Sequence, residues 1–201
     1  MISSKVTRGY GVLEKFLAKQ RTSIANKLIP VGYRNGRILD IGCGLYPYFL
    51  MNVNFHEKFG IDKVVKESDH GLYENGLIVI NHDVEIDDIL PFCNEYFDVV
   101  TMLAVLEHIE PMNVLKILKE VKRVLKNDGI YILTTPAFWT DWLLRFMSKI
   151  RLVSPVEIQE HKAVYDHSKI HSLLQEAGFS EERLRFGYFE LFMNIWVTAK
   201  K

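Results

Sequence analysis

The segment ILDIGCG, residues 38–44, sets an acid, Asp40, just ahead of a Gly-x-Gly turn at Gly42 and Gly44. An apolar run ending in such glycines is a strand entering a turn where backbone can approach a ligand closely. The acid repels a diphosphate and attracts an ammonium group, so the pattern favours a cationic aminoacyl ligand. Asp62 ends a second apolar run 22 positions after Asp40 (62 − 40), where a carboxylate can accept both hydroxyls of a ribose. Its place at the strand end predicts an exposed acid whose loss leaves the fold intact. Asp83 follows a third run, and 102–104 ends a fourth. The same spacing suits a dinucleotide, but Pro47 occupies the position of the third fingerprint glycine. Proline lacks the backbone donor that a pyrophosphate would use, which disfavours NAD.

A second set of residues has acid–base chemistry. Glu107 and His108 follow the fourth run, and His161 with Tyr165 lies further along the chain. Any of them could take a proton from an acceptor. His167 and His171 have helical metal-ligand spacing, yet no third ligand accompanies them in sequence, so no metal is expected. Cys43 reads as a small packing residue and Asp98 as structural.

Stepwise apolar spacing from Leu13 to Leu28 predicts an amphipathic helix stopped by Pro30 and Gly32. Short apolar runs at 37–41, 58–61, 77–80, 96–102 and 129–134 read as strands, with a helix between the last two that 127–129 should stop. Another helix, capped by Asp166 or Ser168 and ended by Gly178, precedes two runs at 183–186 and 192–199 that suggest an antiparallel hairpin. The segment 138–153 carries two of the three tryptophans. It could cover an apolar acceptor, dimerise, touch a membrane surface, or pack on the sheet.

The 201 residues fit one domain, and no repeat or linker marks a second. Lys plus Arg and Asp plus Glu are 25 each, so no field favours nucleic acid. Two cysteines fit a reducing compartment, and no signal-peptide core or membrane span is evident. A cytoplasmic protein is expected.

In order and spacing, ILDIGCG, GIDKV (60–64), NHDVEIDDILPF (81–92), FDVVTMLAVLEHI (97–109) and LKNDGIYILTTP (125–136) resemble the class I S-adenosylmethionine-dependent methyltransferases. The likeness is greatest to the methyltransferase type 11 group, related to ubiquinone/menaquinone-biosynthesis enzymes. The resemblance implies a Rossmann-like, doubly wound α/β fold. Its mostly parallel seven-stranded sheet ends in an antiparallel C-terminal hairpin strand, in three α/β/α layers. It implies a helical lid (1–35), a cofactor-binding core (36–136), an acceptor-side insertion (137–167) and a C-terminal helix and hairpin (168–201). S-adenosylmethionine would be the cofactor. Asp40, Gly42 and Gly44 would line its methionine moiety, Asp62 its ribose, and Asp83 with Val84 its adenine, while Leu103 and Ala104 would offer backbone and Cys43 and Lys63 would be further cofactor-binding residues. His108 would be the catalytic base, with Glu107, His161 and Tyr165 facing the acceptor. Leu45-Tyr46-Pro47 departs from the family's small residue after the turn and puts the loop's shape in question. The implied reaction is direct in-line methyl transfer to a small or lipid-linked acceptor by a monomer or homodimer, without nucleic acid and with peripheral membrane contact at most. The alternative is a catalytically silent S-adenosylmethionine-binding or assembly module.

Overall fold

The computed structural model describes residues 13–65, 71–73, 76–140, 142 and 161–201. In chain order the elements are α1 (Glu14–Leu28), β1 (Arg37–Ile41), the single turn α2 (Tyr48–Met51), β2 (Glu57–Asp62), β3 (Gly71–Tyr73), β4 (Leu77–Asn81) and β5 (Phe97–Leu103). They continue with α3 (Pro111–Val124), β6 (Leu125–Pro136), α4 (His167–Glu176), β7 (Leu184–Phe189) and β8 (Asn194–Lys200). The strands form one sheet in the order β3-β4-β2-β1-β5-β6-β8-β7. From β4 to β6 neighbours pair in parallel, whereas β8 is antiparallel to both β6 and β7. Seven strands make the expected mixed sheet, and β3 adds a three-residue antiparallel edge to β4.

Central strands covered on both faces need continuous apolar runs rather than alternation, which is why four of the five residues of β1 are buried. Leu39 and Ile41 point into one core with α3 and α4, and Ile38 points into the other with α1 and α2. Val114, Ile117, Leu118, Val121 and Val124 recur every three or four residues along α3 and are buried on that first core. Each such side chain contributes about 1.5–3 kcal/mol when fully buried. Pro111 opens α3 with a preset φ, and the Glu85 carboxylate accepts the Glu110 N–H at 2.7 Å, a cap supplied from another loop. Asp166, rather than Ser168, caps α4 by accepting the Lys169 N–H at 2.8 Å.

One boundary differs from expectation. α3 ends at Val124, ahead of 127–129, because the Val124 carbonyl accepts the Tyr96 N–H and Leu125 pairs with Phe97. Sheet pairing captures the chain before the Asn-Asp-Gly stop is reached. Among the described residues no helix is long and apolar enough to cross a membrane.

Candidate functional site

Parallel pairing aligns the carboxyl ends of β1, β2, β4 and β5: Ile41 stands beside Ile61 and Met102, and Asp62 beside Asn81. Open α/β sheets bind ligands at this edge. There, Gly42 and Gly44 hold φ of 78° and 72°, left-handed values that glycine adopts without strain. A Cβ on Gly42 would lie 2.3 Å from Val105 Cγ2, whereas one on Gly44 would meet nothing nearer than 4.0 Å. The first glycine permits close packing, and the second leaves open space over the turn.

The turn is anchored to β2. The N–H groups of Gly42 and Cys43 donate to the Ile61 carbonyl at 2.8 and 3.2 Å. Gly44 N–H donates to Asp62 Oδ2 at 2.9 Å, and Val64 N–H donates to Oδ1 at 3.0 Å. Asp62 is thus 5% exposed and holds two loops together, contrary to the exposed acid expected from its position at a strand end. Asp40 is 4% exposed and accepts the Thr101 hydroxyl at 2.6 Å. Burial pushes its carboxyl up to about 7; the Thr101 bond opposes the shift and the charge of Asp62 adds to it.

Cys43 is buried beside Gly60, where a Cβ would lie 2.7 Å from its sulfur, a packing position. Asp83 is half-buried and its carboxylate accepts the Glu85 N–H at 3.0 Å. Val84 packs at the margin of the larger core. Lys63 stands 4.0 Å from Glu85. Leu103 is half-buried, and Ala104 holds φ 57° while donating its N–H to the Thr134 carbonyl at 2.9 Å. A positive φ is uncommon outside glycine and here marks an abrupt turn at the end of β5.

Beyond that turn lies the second cluster. Glu107 is 3% exposed, and its Oε2 accepts the Thr135 hydroxyl at 2.9 Å. Its carbonyl accepts the Lys162 N–H at 2.8 Å, which docks the 161–166 segment against it. The His108 and His161 rings stand 5.0 Å apart and 74° to one another. A Glu107 oxygen and one nitrogen of each histidine lie within 4.8 Å of one another. Tyr165 is 1% exposed, and its hydroxyl has no hydrogen-bond partner among the described residues. Burial, with the Glu107 charge adding, pushes this phenol up to about 12. The structure therefore brings together Glu107, His108, His161 and Tyr165, the four acid–base residues singled out in the sequence. His167 packs on Tyr188, and His171 faces Glu181 at 3.7 Å. Asp98 accepts from Arg37 N–H and Lys126 Nζ, both at 2.8 Å, a structural role.

Four contributors escaped the sequence reading. Thr101 and Thr135 could have been found as polar residues inside otherwise apolar strands. Glu85 and Lys162 carried no such signal. Lys162 Nζ lies 3.1 Å from Glu85 and 3.2 Å from Glu110, tying the 161–166 segment to the loop after β4. Burial alone would raise the Glu85 carboxyl, but the Glu110 N–H and the Lys162 ammonium hold it below its ordinary value. Residues 1–12 of the expected lid and positions 141 and 143–160 of the expected acceptor-side insertion lie outside the described residues; Phe138, Trp139 and Trp142 are exposed.

The family model for "Methyltransferase domain" matches residues 13–183. An uncharacterized protein of Methanocaldococcus jannaschii is 24% identical over 195 residues, covering 87% of this chain and 73% of its own length. A chain from the complex between the Haloferax volcanii Trm112 methyltransferase activator and a methyltransferase superposes with a TM-score of 0.71 at 14% identity, covering 94% of this chain and 91% of that one. A SAM-dependent methyltransferase from Archaeoglobus fulgidus gives 0.65 at 18%, covering 94% of each chain. Another from Thermotoga maritima gives 0.68 at 19%, covering 93% and 90%. The open cradle above Gly44 and the buried acids Asp40 and Asp62 fit a ligand that combines an ammonium group with a ribose. With its family model spanning most of the sequence and its sheet carrying this glycine turn, the chain belongs to the methyltransferase-domain family, an enzyme class whose cofactor is S-adenosylmethionine.

Proposed function

We propose that the chain transfers a methyl group to a small or lipid-linked acceptor by direct in-line displacement. One observation carries the reading: the glycine turn with its two buried acids and the Glu107–His108–His161–Tyr165 group lie on neighbouring loops at the same edge of the sheet. When bound, S-adenosylmethionine supplies an electrophilic methyl group on a sulfonium. Asp40 receives the aminoacyl ammonium, Asp62 the ribose hydroxyls, and Asp83 with Val84 the adenine edge, while Gly44, Leu103 and Ala104 shape the cradle. The protein's remaining task is to align the acceptor's lone pair and exclude water. Glu107, His161 and Tyr165 form the wall against which the acceptor sits, and His108 takes its proton when it has one to lose. The exposed Phe138, Trp139 and Trp142 favour an apolar acceptor. We assign the whole chain to one domain working in the cytoplasm, with 1–35 as lid and 137–167 on the acceptor side.

Calorimetric titration with S-adenosylmethionine and S-adenosylhomocysteine, with NAD as comparator, tests the cofactor assignment. Binding near the micromolar range, about −8 kcal/mol, with none for NAD, supports it. Acceptor-dependent release of S-adenosylhomocysteine then tests turnover. The likeness to a chain solved with a methyltransferase activator favours a second reading, in which the fold works through a protein partner. Cofactor binding without turnover against any acceptor would support that reading.

A further inference from the structure

We infer that Glu107, His108 and His161 form a binding site for one divalent cation of the zinc type, and that the acceptor is an ionisable hydroxyl or thiol bound to it. The inference rests on reading this group as the acceptor wall. Two imidazoles and one carboxylate are the ligand set of an open catalytic zinc site, with a fourth position left for substrate or water. Their ligand atoms already lie within 4.8 Å of one another, and a tetrahedral site with bonds of about 2.0–2.2 Å needs separations near 3.3 Å. Rotation of the half-buried His161 side chain can close the difference.

The backbone prepares the set. The Lys162 N–H bond to the Glu107 carbonyl fixes His161 opposite His108, and the Lys162 ammonium, bridged to Glu85 and Glu110, clamps the same segment from the other side. The Thr135 hydroxyl orients the Glu107 carboxylate, the outer-shell bond that ligating carboxylates characteristically make. The two rings cross at 74° rather than stack, so a nitrogen of each can turn toward one point. An independent observation marks the position as a ligand site. The Tyr165 hydroxyl is buried and has no hydrogen-bond partner among the described residues. A buried hydroxyl left unpaired costs about 1–3 kcal/mol, a cost removed when a cation-bound acceptor atom accepts its hydrogen.

A cation here lowers the pKa of the bound acceptor, as it does for bound water. The acceptor's O–H or S–H bond then loses its proton to solvent. Its lone pair forms the new bond to the methyl carbon, and the sulfonium carbon–sulfur bond breaks with its electron pair passing to sulfur. The products are the methylated acceptor, S-adenosylhomocysteine and one proton. His108 is then a ligand, and solvent takes the proton assigned to it above.

The test uses the full chain, stripped with EDTA, dialysed and titrated with Zn²⁺ and with Co²⁺. The expected result is one equivalent bound per chain, with the visible absorption of low-coordinate cobalt. His108→Ala and His161→Ala, each checked for an unchanged melting transition, should weaken binding by more than the roughly 10–100-fold cost of an outer-shell change. His161→Gln should behave like His161→Ala if a folding defect obscures the latter. A His167→Ala, His171→Ala double variant should bind as the parent does. Binding below one equivalent, or binding that survives loss of His108 and His161, overturns the site and leaves the group as a metal-free proton relay. S-adenosylhomocysteine binding to the stripped chain is measured separately, so loss of the metal site and loss of the methyltransferase reading are distinguishable.

Discussion

The two ends of the site are built in opposite ways. At the cofactor end, the glycine turn and Asp62 are joined mainly through backbone N–H groups within 40–64. At the proposed acceptor end, side chains from 107–108, 135 and 161–165 meet across the fold, and a buried hydroxyl has no partner among the described residues. A site satisfied by its own backbone keeps its shape when empty. A site that leaves a polar atom unpaired is completed by what it binds.

The contrast can be broken at either end. The largest effect is expected from His108→Ala, which should lower kcat about 100-fold or more while leaving S-adenosylhomocysteine affinity in calorimetry unchanged. A matching fall in affinity would merge the two ends into one. Next, Asp62→Ala should cost both affinity and stability, because it strands the N–H groups of Gly44 and Val64: about 2–3 kcal/mol in denaturant unfolding, with cofactor affinity down at least about tenfold. A variant with full stability would return Asp62 to the role of an exposed acid.

Asp40 gives a pH signature of opposite sign in two measurements. Its folded carboxyl is raised to about 7 from 3.8, so stability of the empty protein is fully present below about pH 4 and is lost as pH rises toward 7. Cofactor affinity should instead rise with pH, by up to about tenfold per unit below 7, as the ionised acid becomes available to an ammonium group. Asp40→Asn should flatten both curves. The smallest effect is expected from Lys162→Met, which removes a mostly exposed bridge worth about 1 kcal/mol or less. A modest rise in acceptor KM with unchanged cofactor affinity would place the clamp on the acceptor side.

The same contrast explains what was legible in the sequence. The cofactor end is local: ILDIGCG and GIDKV each place their acid at a strand end, and parallel pairing of buried apolar runs brings those ends together. The sheet and its C-terminal hairpin followed from the same runs. Glu107, His108, His161 and Tyr165 could be named, but their meeting depends on the Lys162 N–H bond to Glu107, a pairing across 55 positions (162 − 107) that no periodicity encodes. Burial of Asp62 was missed because it arises from two N–H donors rather than from apolar neighbours. The end of α3 was misplaced because sheet pairing at Leu125 overrode a turn signal three residues later.

One topological detail bears on how the chain assembles. Although β7 precedes β8 in the chain, it sits outside it, and among the described residues β8 is its sole neighbour in the sheet. During synthesis β7 therefore emerges before the described strand it pairs with. β7 can join the sheet only through β8, so cutting the chain before Asn194 would strip two strands from the sheet rather than one.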